Sequence, residues 1–184
     1  MNSLKGHLLI ATPRLLDPNF ARTVLLIFEH TAGGAAGLVL NRSTEMSVTD
    51  ISGQLLDDAV EWDKIIHLGG PVPGPLMALH ADADLADQEA FDGLYLSVAA
   101  EKIRTILESR LEPSLLLANY AGWGPGQLDR ELAEDSWYHF PASAEQVFWD
   151  EADDLWERSI RTVNRQRTAD LIGEDELPED PSLN

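Results

Sequence analysis

Residues 122–127, Gly-Trp-Gly-Pro-Gly-Gln, have the composition of a loop that could cradle a phosphate, since a glycine turn before a helix exposes backbone amides to an anion. The flanking residues oppose that chemistry. A Walker A loop needs Lys and then Ser or Thr, whereas Gln127 and Leu128 follow Gly126. A dinucleotide fingerprint needs a third glycine where Gln127 stands, and Asp129, Glu131, Glu134 and Asp135 would set carboxylates against an incoming phosphate. The expectation is a self-capped turn that presents Trp123 and Gln127.

Other chemistry-bearing pairs have the wrong geometry or lack a partner. Glu29 and His30 are adjacent on an apolar run, so as strand neighbours they point to opposite faces and cannot share one proton or ion. His67 and His80 flank Gly-Gly-Pro-Val-Pro-Gly-Pro. If that segment closes a hairpin about Val72, His80 lies opposite Lys64 and the two imidazoles face apart, which argues against a metal site. There is no cysteine, so thiolate nucleophiles, disulfides and Cys-rich zinc sites are excluded together. No Gly-x-Ser-x-Gly elbow or Ser-x-x-Lys pair is present either. Carboxylates and histidines sufficient for general acid/base catalysis exist, without a constellation. No cofactor is expected.

In Asp17-Pro-Asn-Phe-Ala-Arg, Asn19 and Arg22 precede a strand, where they pin the loop or bind an anion. Concentrated positive charge occurs in the last helix, where Arg158, Arg161 and Arg165 share a stripe and Arg167 lies just beyond. Against it stand 32 Asp and Glu to 13 Lys and Arg, a net charge of −19. The segment 170–184 contributes six of those acids and no base, so −19 less −6 leaves −13 on residues 1–169. Direct nucleic-acid binding is disfavoured by that charge, as is an anionic membrane surface. No apolar run is long enough for a signal or a membrane span, so a cytoplasmic location is expected.

The elements that must position these residues follow from the apolar runs. Residues 6–13, 23–30 and 36–41 read as strands, with the last two forming a hairpin around Thr31 to Gly34. Thr49 to Leu56 reads as a short helix capped by Ser47 or Thr49. Short strands at 65–68 and 76–80 flank the Gly/Pro segment, which reads as an irregular bridge. Leu94 to Ser97 leads into a helix over 99–111, and Ser114 to Tyr120 is apolar enough for burial on both faces. The following helix is expected to open with Gly124 as cap and Pro125 at its first position. A strand at 137–140 and helices at 143–149 and 153–167 complete a single domain over 1–169, with a disordered acidic tail at 170–184. Hairpins outnumber strand–helix alternations, which implies α+β with a mostly antiparallel sheet.

Four ordered segments, GHLLIATPRLLDPNFARTVLLIFEH, GAAGLVLNR, LGGPVPGPLMALH and NYAGWGPGQLDRELAEDSW, resemble the successive blocks of the YqgE/AlgH family over about residues 4–165. The chain departs from the family pattern within 70–80 and in its acidic tail. The resemblance implies an α+β domain whose mostly antiparallel, bifurcated sheet curls into a pseudo-barrel with flanking helices. The family carries a transcriptional-regulator label without an established molecular activity. Among the positions matching its motifs, Asn19, Arg22, Glu29, His30, Asn41, Trp123 and Gln127 are the expected binding residues. The implied role is a non-enzymatic regulatory or binding domain with a small-molecule or protein partner. A general acid/base enzyme with a His and carboxylate pocket, and a direct DNA-binding regulator, are the alternatives.

Overall fold

A computed structural model describes residues 3–148 and 152–172. The first three strands, β1 (His7–Ala11), β2 (Val24–Thr31) and β3 (Gly34–Val39), form an antiparallel meander in which Leu9 pairs with Leu25 and Ile27 with Gly37. Every residue of 8–11 and 24–27 is fully buried, which explains why these runs are apolar without alternation. One face, with Leu9, Ala11, Leu25 and Ile27, packs beneath Trp123, Leu128 and Trp137. The other, with Leu8, Ile10, Val24 and Leu26, packs against Leu155 and Val163 of the last helix.

The middle of the chain supplies β4 (Ser43–Ser47), α1 (Val48–Leu55), β5 (Ile65–Leu68), β6 (Val72–His80), β7 (Gln88–Phe91), β8 (Leu94–Ser97) and α2 (Ala100–Ser109). Ser47 caps α1 through a reciprocal box with Asp50. Ile103, Ile106 and Leu107 bury the inner stripe of α2 in a third core with Val48, Ile66 and Leu116. The last third gives β9 (Ser114–Trp123), α3 (Gln127–Ala133), β10 (Trp137–Pro141), α4 (Ala144–Val147) and α5 (Leu155–Ile172). Thus α5 includes residues 170–172, and the remainder of the acidic tail lies outside the described residues.

Ten strands join in one open sheet in the order β10-β1-β2-β3-β9-β6-β8-β7, with β5 against β9 and β4 beyond it. All ladders are antiparallel except β5 with β9. The sheet forks at β9. Leu116 to Ala118 pair with β5, whereas Ala121 to Trp123 pair with β3. The curl brings β7 to β2, where Gln88 Nε2 donates to the Phe28 carbonyl at 2.6 Å, and the ladder does not close. This is the α+β, mostly antiparallel and bifurcated architecture expected from the sequence.

The Gly/Pro segment corrects two expectations. Val72 to Pro75 lie inside β6, where a register shift between Val72 and Leu76 lets the strand tolerate its prolines. Nor do β5 and β6 form a hairpin: Gly69 and Gly70 carry the chain across β9, which lies between them. A Cβ on Gly70 would overlap the Tyr120 carbonyl, and its φ of +158° lies where side chains rarely go. Among the described residues no helix is long and apolar enough to cross a membrane.

Candidate functional site

The strand-to-helix turn at the end of β9 is the best-organised polar feature of the fold. Gly122 and Trp123 are still in the ladder, opposite Ala36 and Ala35, and Gly126 at φ 65° is the N-cap residue of α3. The cap is therefore two residues later than the pattern suggests, with Pro125 in the turn outside the helix. Gln127 folds back so that its Oε1 accepts from Gly124 N at 3.0 Å, while its Nε2 donates to Glu131 Oε1 at 2.9 Å. Glu131 also accepts from both indoles through Oε2, from Trp123 Nε1 at 2.9 Å and Trp137 Nε1 at 2.8 Å. The two indoles meet edge to face at 6.2 Å, and Phe20 stacks on Trp123 at 6.1 Å. One carboxylate thus ties β9, α3 and β10 together.

His30 joins this edge because of a β-bulge. Ile27 pairs with Gly37 and Glu29 with Ala36, so Phe28 is the extra residue and the alternation inverts after it. His30 is consequently buried and Glu29 exposed, on opposite sides as strand geometry requires. Leu4 N–H donates to His30 Nδ1 at 3.1 Å, which leaves the neutral ring's proton on Nε2. That nitrogen lies 3.9 Å from Asp129 Oδ2, a buried oxygen with no hydrogen-bond partner.

Arg22 and Asn41 lie at the other end of β2. Asn41 accepts from Val24 N–H at 2.8 Å and donates to the Arg22 carbonyl at 2.9 Å, clamping the entry to the strand. Arg22, at φ 59°, pairs with Glu157 and lies over the Trp156 ring at 4.6 Å, so it fastens the 17–22 loop to α5. Asn19 is exposed, and its backbone N–H caps onto Asp17 Oδ1 at 2.8 Å. Of the seven expected residues, His30, Trp123 and Gln127 therefore gather around α3. Arg22 and Asn41 hold a separate joint, Asn19 lies in its loop, and Glu29 faces solvent. The residues that organise the first group, Glu131, Trp137, Asp129 and Phe20, were not among the expected binding residues. The one sequence signal for Glu131 is its i+4 spacing from Gln127.

Two of the other four histidines, His80 and His67, are committed elsewhere. His80 is fully buried. Asp82 N–H donates to its Nδ1 at 3.2 Å, so Nε2–H donates to Ser97 Oγ at 2.7 Å, and that hydroxyl donates in turn to the Leu85 carbonyl. Burial pushes the His80 pKa below its ordinary value. His67, on the far side of β9 from β6, donates Nδ1–H to the Leu40 carbonyl at 2.7 Å, and burial lowers its pKa too. Among the described residues no three His, Asp or Glu side chains converge as metal ligands do.

Comparison with known proteins places this geometry in a wider set. A family model described as AlgH-like matches residues 8–167. The UPF0301 protein CT0663 of Chlorobaculum tepidum is 40% identical over 164 residues, 85% of either chain. A UPF0301 protein of Myxococcus xanthus is 37% identical over 165 residues, covering 88% of this chain and 91% of that one. Among solved structures, the solution structure of AlgH from Pseudomonas aeruginosa superposes with a TM-score of 0.72 at 32% identity, over 96% of both chains. The crystal structure of DIP2367 from Corynebacterium diphtheriae shares the fold, with a TM-score of 0.71 at 24% identity over 88% of both.

Proposed function

The chain belongs to the AlgH-like family, and from that premise we propose that it is a cytoplasmic, non-catalytic binding or regulatory domain acting through a small-molecule or protein partner. The supporting observation is how its reactive side chains are used. His80 has both ring nitrogens bonded inside the core, His67 is tied to a backbone carbonyl, and Glu131 is taken up by three donors. General acid/base work needs a histidine within hydrogen-bond reach of its partner, and His30 stands 3.9 Å from Asp129.

The α3 edge supplies the binding position in this reading. Asp129 Oδ2 is an unsatisfied acceptor beside His30, with Trp123 and Gln127 on the same turn, so the partner offers an N–H or O–H donor there. A metabolite-library thermal-shift screen tests this, with indole N–H resonances of Trp123 and Trp137 as the local readout. A compound or partner that raises the Tm and shifts those resonances, with loss of both effects in Asp129→Asn, supports the reading. Binding that leaves the indoles and the variant unaffected refutes this site. The DNA-binding alternative predicts a gel shift that weakens steeply with salt, and its absence at low salt removes that alternative while leaving a protein partner in place.

A further inference from the structure

A second site lies at the other end of α3, and it does not depend on the reading above. The loop after β1, the turn between α3 and β10, β10 itself and α5 enclose a cleft of about 260 Å³ lined by Thr12, Pro13, Arg14, Asp135, Tyr138 and Arg167. Arg14 and Arg167, more than 150 residues apart in sequence, meet here. In a chain with 32 acids and 13 bases an exposed guanidinium has carboxylates in excess, yet among the described residues neither arginine is in an ion pair. Asp135 lines the same cleft and is equally unpaired. Charges of both signs share one cavity without closing on each other.

The frame around them is built. Thr12 is buried, with its hydroxyl donating to the Asp135 carbonyl at 3.0 Å and its N–H to the Ser136 carbonyl at 3.1 Å. Asp135 N–H donates to the Leu132 carbonyl at 3.1 Å, and its φ of 55° is a left-handed conformation that Asp adopts more readily than most residues. Arg167 is held over the Tyr138 ring at 5.0 Å, which limits the rotamers its guanidinium must give up on binding. A plain anion would gain the two guanidinium groups and suffer the Asp135 carboxylate, and a plain cation would meet the reverse. A molecule carrying both charges satisfies all three.

We propose that this cleft binds a free α-amino acid, with its carboxylate on Arg14 and Arg167 and its ammonium on Asp135. Bidentate guanidinium recognition suits a carboxylate, and the volume accommodates one small ligand rather than a polymer.

Isothermal titration calorimetry of the full chain against the set of standard free amino acids tests the proposal, with propionate, ethylammonium and inorganic phosphate as single-charge probes. At least one amino acid should bind, with propionate and ethylammonium weaker by about tenfold or more. Arg14→Gln and Arg167→Gln should each weaken the amino acid by about tenfold, and Arg167→Lys by less. Asp135→Asn, chosen because Asn also tolerates positive φ, should weaken the amino acid while strengthening propionate. Thermal melts of each variant confirm that it folds. Absence of amino-acid binding overturns the proposal. So does phosphate or propionate binding as tightly as any amino acid, which would make the cleft a plain anion site, and so does amino-acid binding that Asp135→Asn and Arg167→Gln leave unchanged.

Discussion

Removing the Glu131 carboxylate should loosen the junction of β9, α3 and β10. In Glu131→Ala three hydrogen bonds are lost, and the donors left behind include the indole N–H groups of Trp123 and Trp137, whose side chains are nearly closed to water. Each orphaned donor costs on the order of 1–2 kcal/mol, and Gln127 recovers part of its loss by turning to solvent. The expected total is about 3 kcal/mol, or a Tm lower by roughly 6–12 °C for a domain of this size. Glu131→Gln is the informative comparison. Its oxygen can keep both indoles, but its amide then faces the Gln127 amide, and Gln127 cannot turn over without presenting nitrogen to Gly124 N–H. That variant should lose about 1–2 kcal/mol. Urea unfolding followed by circular dichroism measures both, and a double-mutant cycle with Trp123→Phe isolates the indole bond. A coupling of about 1 kcal/mol is expected. Glu131→Ala within about 1 kcal/mol of wild type, or additivity of Glu131→Ala with Trp123→Phe, would refute the assignment of Glu131 as the tie.

Three further outcomes follow from other joints. Asp87 bonds Lys102 and the amides of Val98 and Ala99, which holds its carboxyl at about 2 against an ordinary 3.8. Because the folded value is depressed, the stability advantage of wild type over Asp87→Asn is full above about pH 4, about 1–2 kcal/mol, and disappears as the pH falls to about 2; an advantage that persists in acid would contradict this. His80 should titrate below 6.5 in a nitrogen-detected NMR series, as the Nε2–H tautomer, and because its folded pKa is lowered the fold loses stability as pH falls through that region. A His80 titration at or above 6.5 would contradict its enclosed state. Gly70→Ala drives a methyl into the Tyr120 carbonyl and should cost on the order of 3 kcal/mol or prevent folding, so an unchanged urea midpoint would show that the crossing over β9 is wrongly placed.

Much of the sheet can be read from the chain because its central strands are buried on both faces and carry unbroken apolar runs, as in residues 8–11 and 24–27. The edge pieces cannot. β4 is Ser-Thr-Glu-Met-Ser, with no buried residue, and β7 is Gln-Glu-Ala-Phe, which puts only Ala90 and part of Phe91 into the core, so no hydrophobic period marks them. The Gly/Pro segment misleads for a different reason. Proximity in sequence suggests a hairpin between 65–68 and 76–80, whereas both strands prefer the apolar β9 as partner and the two glycines permit the crossing. The candidate site divides along the same line. His30, Trp123 and Gln127 can be located from the turn chemistry and the family resemblance, but Glu131 becomes a hub through the angle at which α3 lies over β10. Acids in a helix's opening turns look like a barrier to phosphate, and helical spacing does not reveal that one of them accepts from the indoles of Trp123 and Trp137 on the flanking strands.

The fork at β9 also has a consequence for how the polypeptide is made. Strands β3 and β5 on one edge and β6 on the other find their common neighbour only in residues 114–123. Until that stretch leaves the ribosome, a nascent chain of more than a hundred residues holds three separate groups of strands, β1-β2-β3, β4-β5 and β6-β8-β7, with open edges. β1 waits longer still, since its outer partner, β10, is synthesised later. The N-terminal two-thirds of this chain is thus a dependant of its last third, and the interval before β9 emerges is when protection by a chaperone would matter most.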